Sequence, residues 1–249
     1  GVFFNGSSTS TSTSVTVSQN VIGAAGSPAP ATTVYGKGIQ IAGTSAVSVA
    51  GNTLRNIVSS VGIPMAGVEL SSNIGAGPNT IQGNTITTVV FNATGNVAVR
   101  GIALLALSGA YTVRGNTVTG IEGFSTSTAN QPTRIFASTP AGGVVTLDGN
   151  GVRTVYNHAT FGAQGISLNA GSNHTVRNNF VSDINQVQTA GNSFSPASAV
   201  IGIRVNIGSG HKIHHNTVSL SGPVLGTASA NNLTAAFAIT SALSGLDVR

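Results

Sequence analysis

The feature that most constrains this 249-residue chain is an asparagine that returns on a fixed period. It stands in Val113-Arg114-Gly115-Asn116-Thr117-Val118 and in a set of relatives: Val17-Ser18-Gln19-Asn20-Val21-Ile22, Val49-Ala50-Gly51-Asn52-Thr53-Leu54, Ile81-Gln82-Gly83-Asn84-Thr85-Ile86, Val176-Arg177-Asn178-Asn179-Phe180-Val181 and Ile213-His214-His215-Asn216-Thr217-Val218. The differences 52 − 20, 84 − 52 and 116 − 84 all equal 32. A fixed period of this size marks a repeat architecture, in which each unit stacks only on its neighbours. Asn116 and Asn179 are 63 positions apart, about two periods, so one more unit belongs there. Val145-Thr146-Leu147-Asp148-Gly149-Asn150 supplies it and makes the later steps 34, 29 and 37.

Each repeat carries three short apolar segments that alternate with a period of two. In the second unit they are Gly38-Ile39-Gln40-Ile41, Ala46-Val47-Ser48-Val49 and Thr53-Leu54-Arg55-Asn56-Ile57. Alternation rich in Val, Ile and Thr and broken by Gly and Asn is strand chemistry. The Gly-Ile start recurs at Gly67-Val68, Gly101-Ile102, Gly165-Ile166 and Gly202-Ile203, with Ala236-Phe237-Ala238-Ile239 as a diverged last copy. No helical periodicity appears. The fold class is therefore all-β: a right-handed parallel β-helix of about seven to eight coils, three short strands to a coil. The chain, residues 1–249, reads as one such domain, with residues 1–14 as a strand or loop at its open end.

Asn20, Asn52, Asn84, Asn116, Asn150, Asn179 and Asn216 are expected to form a structural ladder at one corner. Asn tolerates the left-handed conformation a tight corner needs, and amides stacked about 4.8 Å apart can bond to one another. Residues beyond what three strands require fall after the third strand, at 61–66, 91–99, 124–143, 186–200 and 223–234. One side of the solenoid should thus carry the long loops, and in repeat proteins that side is often the binding face.

Composition sets the remaining bounds. Charged residues make up 6% of the chain, far below the roughly 25% of an ordinary domain, and the net charge of +5 reflects a scarcity of acids, five in all. Lys and Arg are scattered singly, which argues against a nucleic-acid-binding stripe. There is no cysteine, no run of about 18 apolar residues and no start resembling a signal peptide. No cofactor, metal site or membrane insertion is expected.

The repeats resemble the right-handed parallel β-helix proteins of the pectate-lyase-like superfamily. They are similar also to the large secreted surface proteins of Bacteroidetes-type bacteria, which repeat phrases like Asn173-His174-Thr175-Val176-Arg177-Asn178-Asn179 and His211-Lys212-Ile213-His214-His215-Asn216. The likeness spans residues 15–249 and rests on scaffold positions. It implies the fold and a secreted or cell-surface setting rather than an activity. The chain stops at Asp247-Val248-Arg249, where the next corner Asn should follow, so it is expected to be a fragment of a longer protein or to have its ends covered by a neighbour.

Enzymes built on this fold use clustered carboxylates as acid and base or as calcium ligands. Here Glu69, Glu122, Asp148, Asp183 and Asp247 lie in different repeats. Aligning the repeats puts Ser18, Ala50, Gln82, Arg114, Asp148, Arg177, His214 and Arg249 on one outer stripe, with Asp148 between Arg114 and Arg177. A lone carboxylate between two guanidinium groups is a poor general base, because positive neighbours lower its pKa. No catalytic residue is assigned. Tyr111, His174 and His211 share a second stripe, with Val145 between, where rings could stack on a sugar. With the charged stripe they complete the candidate ligand-binding set: Arg114, Asp148, Arg177, His214, Tyr111, His174 and His211. His214 and His211 point to opposite faces of a strand, so the histidine cluster is not a ready metal site.

The sequence thus points to a non-catalytic structural or adhesive segment of a secreted bacterial surface protein, a rigid stalk or filament. Its partners would be extracellular polysaccharide or further copies joined end to end. The alternative is a carbohydrate-binding module, or a polysaccharide lyase or hydrolase, using the loop-bearing face. Ice binding by Thr53, Thr85, Thr117 and Thr217 is disfavoured by Phe180, which interrupts the array.

Overall fold

The computed structural model describes the chain except residues 7–13, 26–33, 45, 72–76, 106–107, 126, 128, 141, 160, 187–198 and 221–233. The described residues form 23 strands and no helix. Sheet I stacks β1 (Val2–Asn5), β4 (Lys37–Ala42), β7 (Met65–Ser71), β10 (Val99–Leu105), β13 (Thr133–Ser138), β16 (Gln164–Ala170), β19 (Val200–Val205) and β22 (Thr234–Ile239). Sheet II stacks β2 (Ser14–Ser18), β5 (Ala46–Ala50), β8 (Asn79–Gln82), β11 (Ala110–Arg114), β14 (Val144–Asp148), β17 (Thr175–Arg177), β20 (Lys212–His214) and β23 (Asp247–Val248). Sheet III stacks β3 (Val21–Ile22), β6 (Thr53–Ser59), β9 (Thr85–Phe91), β12 (Thr117–Gly123), β15 (Gly151–Asn157), β18 (Phe180–Gln186) and β21 (Thr217–Ser219).

All pairings are parallel, and each strand pairs with the strand one coil away, so the chain is a parallel β-solenoid. Seven coils have all three strands, and β22 and β23 begin an eighth. This is the three-strand coil read from the alternating segments, and Asn150 marks the unit placed between Asn116 and Asn179. The tract 7–13 and most of the inserts 186–200 and 223–234 lie outside the described residues. The insert expected at 124–143 is corrected: it contains β13, the sheet I strand of the fifth coil. Its signature escaped the Gly-Ile pattern because Arg134 stands where other coils have Gly101 and Gly165, as the flanking pairs Ile102↔Ile135 and Ile135↔Ile166 show.

The core is a stack of aliphatic rows. Ile39, Val68, Ile102, Ile135 and Ile166 form one row from sheet I, and Val49, Ile81, Val113, Leu147 and Val176 form another from sheet II; all are fully buried. Each such side chain contributes roughly 1.5–3 kcal/mol by leaving water. In sheet III two residues three apart both face inward, Val118 with Ile121 and Val152 with Val155. Strict alternation forbids this. The cause is a left-handed residue between them, a column of Asn56, Thr88, Gly120, Thr154 and Asp183 with φ from 53° to 67°, at which strand pairing skips a residue.

The ladder corner also has a left-handed residue. The expectation that the ladder asparagines themselves take this conformation is corrected: the residue before each one does. Gln19, Gly51, Gly83, Gly115, Gly149, Asn178 and His215 have φ from 52° to 64°. The turn at that residue leaves the following side chain directed into the corner, where it can reach both neighbouring coils.

Candidate functional site

The outer stripe of sheet II is built as the alignment foresaw. Register pairs Gln82 with Arg114, Arg114 with Asp148, Asp148 with Arg177 and Arg177 with His214. Arg177 Nη2 donates to Asp148 Oδ2 at 2.9 Å, and Asn178 Nδ2 donates to Asp148 Oδ1 at 3.0 Å. Those bonds hold the Asp148 carboxyl below the usual carboxylate range. Arg114 turns the other way and donates from Nε to Gln82 Oε1 at 2.9 Å. It is Asp148's neighbour in register without bonding to it. His214 faces Asp247 Oδ2 at 3.1 Å, and Arg249 donates to Asp247 Oδ1 at 3.0 Å. Gln82, Arg114 and Asp148 of this stripe line a shallow groove along Gly51, Gly83, Gly115 and Gly149.

The second stripe lies inside the coil. Tyr111, His174 and His211 are 2%, 0% and 0% exposed, so the expectation that their rings could meet a sugar is corrected. The reason is parity: each stands two residues before a core aliphatic, Val113, Val176 or Ile213, and shares its face. Their polar atoms are satisfied within the wall. Tyr111 donates its hydroxyl to Ser108 O at 2.5 Å, and burial raises its pKa. Of the seven candidate ligand residues, Arg114, Asp148, Arg177 and His214 thus share an outer face, and the other three do not join them.

The structure assembles other groups that the alignment did not collect. On the outer face of sheet I, Glu69 accepts from Lys37 Nζ at 2.7 Å and from Gln40 Nε2 at 3.0 Å. Arg100 lies over the Phe136 ring at 3.8 Å, and burial pushes its pKa down to about 10, partly offset by Glu69. Next to it is a polar groove of about 230 Å³ lined by Gln131, Phe136, Gln164, Asn169, Arg204 and Asn206. Arg204 donates to Asn206 Oδ1 at 3.2 Å, and Asn206 Nδ2 donates to Asn169 Oδ1 at 3.2 Å. The register Phe136↔Ser167↔Arg204 puts these residues in one column, which only the missed strand β13 reveals. Elsewhere Phe124 stacks on His158 with centroids 4.4 Å apart, and His158 Nε2 faces Glu122 Oε2 at 3.1 Å.

No two of the five carboxylates are register neighbours. Asp148 sits between Arg114 and Arg177, Asp247 pairs with Lys212, Glu69 with Gln40 and Ala103, and Glu122 with Val90 and Tyr156. Asp183 occupies the left-handed column, where its Oδ2 accepts from Ser182 Oγ at 3.0 Å. Among the described residues no three His, Asp or Glu side chains group to hold a metal ion, and no helix is long and apolar enough to cross a membrane.

The fold and these sites define a parallel β-solenoid with an internal polar ladder, a charged outer stripe and a polar groove over one sheet. The chain matches no family model, and comparison with curated proteins and with solved structures finds no match to it.

Proposed function

We propose that this chain is a non-catalytic structural or adhesive segment of a secreted bacterial cell-surface protein, serving as a rigid stalk or filament. The observation that carries this reading is the unbroken ladder. Asn20, Asn52, Asn84, Asn116, Asn150 and Asn179 each donate from Nδ2 to Oδ1 of the next Asn at 2.9–3.0 Å, ending on Asn216. A hydrogen-bonded row along the axis resists bending and twisting between coils. That no two of the five acids are register neighbours supports the same reading, since paired-carboxylate hydrolysis sets two acids on either side of one bond, about 5–10 Å apart. The bacterial and extracellular setting rests on the resemblance of the repeats to large secreted surface proteins and pectate-lyase-like β-helices. A screen of acidic and neutral polysaccharides tests it: no turnover is expected, and turnover abolished by Asp148→Ala would overturn it.

The groove over sheet I favours a second reading, a carbohydrate-binding module. Gln131, Gln164, Asn169 and Asn206 offer amide donors and acceptors, Phe136 a ring, and Arg204 a charge. That mixture suits hydroxyl-rich chains, whose rings stack on aromatic faces while their hydroxyls bond to amides. On a glycan array, binding that falls at least tenfold with Arg204→Ala supports this reading. Silence across the array removes it.

A further inference from the structure

The corner opposite the asparagine ladder, between sheets I and II, carries a second polar ladder made of different residues. Its column runs Val47, Asn79, Tyr111, Val145, His174 and His211, as the flanking pairs Val49↔Ile81, Tyr111↔Asn79, Tyr111↔Val145, Thr146↔Thr175 and Thr175↔Lys212 fix. At three steps of this column a side chain accepts the backbone N–H of the residue one coil before it. Val47 N donates to Asn79 Oδ1 at 3.0 Å, Val145 N to His174 Nδ1 at 3.2 Å and His174 N to His211 Nδ1 at 3.3 Å. Each imidazole uses its other nitrogen on a carbonyl four residues back. His174 Nε2 lies 3.1 Å from Ala170 O, and His211 Nε2 lies 3.2 Å from Ile207 O.

These partners fix the protonation state. A nitrogen that accepts a backbone N–H carries no proton, and one that faces a carbonyl carries one, so both rings are neutral Nε2–H tautomers. Gly171 and Gly208, three residues before each histidine, make the fit. Both have positive φ, and a Cβ on either would lie 2.6–2.7 Å from the ring's Nε2. The motif is therefore Gly-x-x-His, repeated after 37 residues, with the second ring tilted 37° to the first at a centroid distance of 5.1 Å.

We propose that the His174–His211 pair is an acid-released latch for the coils that follow it. A proton on either Nδ1 removes the acceptor of a buried backbone N–H and places a charge in a wall that, among the described residues, holds no counter-ion. On sheet II the inward neighbours Leu147, Val176 and Ile213 are apolar, and Tyr111 lies two rungs away, neutral. Asp148, Arg177, Lys212, His214 and Asp247 belong to the outer face, and Thr139 Oγ1 stands 3.4 Å from His174 Nε2. The one charge coupling to His174 is repulsive and comes from His211. Burial lowers both rings from 6.5, His174 to about 4.

The sign follows directly. A histidine with a depressed folded pKa contributes stability that is complete above its unfolded value of about 6.5 and is lost as pH falls toward the folded value, about tenfold in the opening equilibrium per pH unit per ring. Coils held together by such bonds can open without the rest, because a solenoid's stability is a sum of neighbouring interfaces. The asparagine ladder does not titrate. Opening should therefore begin at the bond between Val145 and His174 and be confined to the coils from there on.

Hydrogen exchange at pH 7 and pH 5 on the intact chain tests this, with protection factors corrected for intrinsic exchange. The amides of Val145 and His174 and the strands β19 to β23 are expected to lose at least tenfold more protection than β4 to β9. The double variant His174→Asn/His211→Asn supplies the uncharged acceptor found at Asn79 and should abolish that difference. Equal losses in both halves of the wild type, or an unchanged loss in the variant, overturn the proposal. The imidazole signals of the wild type give a result that does not depend on the variant folding. Rings that titrate near 6.5 while those amides stay protected also overturn it; rings that stay neutral until the amides open support it.

Discussion

Asn116 donates from Nδ2 to Oδ1 of Asn150 at 2.9 Å, and its own backbone N–H reaches the same oxygen at 3.1 Å. Its Oδ1 in turn accepts both N–H groups of Asn84, and its amide also donates to Ile81 O. Asn116→Ala therefore orphans several buried groups at once. Each orphan costs about 1–3 kcal/mol, so a loss on the order of 3 kcal/mol or more is expected in urea unfolding. Asn216→Ala, at a half-exposed rung, should lose less, and equal losses would show that the ladder is not a cumulative device.

Arg134 is 0% exposed in a column held by glycine at Gly38, Gly67, Gly101, Gly165 and Gly202 and by Ala236 in the last strand. Its Nη1 donates to Val118 O, while Nε and Nη2 have no partner among the described residues. Burial pushes its pKa well down, and the charge of Asp183 opposes this only in part. Replacing an imperfectly paired buried charge with an apolar chain of similar size is often neutral or stabilising, by about 1–4 kcal/mol. Arg134→Met is expected to raise the melting temperature; a fall would mean that the guanidinium is better satisfied than its hydrogen bonds show.

The same residue explains what the sequence hid. The coil was legible because Asn and Gly-Ile recur at positions that packing dictates, and one substitution at such a position, Arg134, concealed a whole strand and with it the Phe136–Arg204 column. The inward course of Tyr111, His174 and His211 was legible in principle, since each shares parity with the next core aliphatic. Polar character argued for the outside and prevailed. That Arg114 bonds to Gln82 and not to Asp148 was not legible: register fixes neighbours, while the rotamer of a long side chain decides between the coil above and the coil below.

Asp148 and Arg177 form an exposed pair, and such pairs contribute about 0–1 kcal/mol. The lowered Asp148 pKa makes this contribution present above the unfolded carboxylate value and lost as pH falls through the folded one. Asp148→Asn should thus differ from the wild type by less than about 1 kcal/mol at neutral pH, and the difference should vanish in acid and in about 1 M salt. A larger gap that survives salt would assign the carboxylate a role beyond pairing.

Two glycines separate packing from backbone conformation. At Gly101 a Cβ would lie 2.3 Å from Val118 Cγ1 and 2.7 Å from the Arg134 carbonyl oxygen, at a φ that is not left-handed. At Gly115 a Cβ would meet nothing within 4 Å, but φ is +58°. Gly115→Ala should therefore lose only the left-handed penalty, about 1–2 kcal/mol. Gly101→Ala must push the β-branched Val118 and a backbone carbonyl apart inside the stack, and overpacking of that kind costs about 1–3 kcal/mol or more. Thermal unfolding should rank Gly101→Ala as the more damaging. The reverse order would mean that sheets I and III can separate to admit a methyl group, and that the Gly-Ile signature reports something other than close packing across the coil.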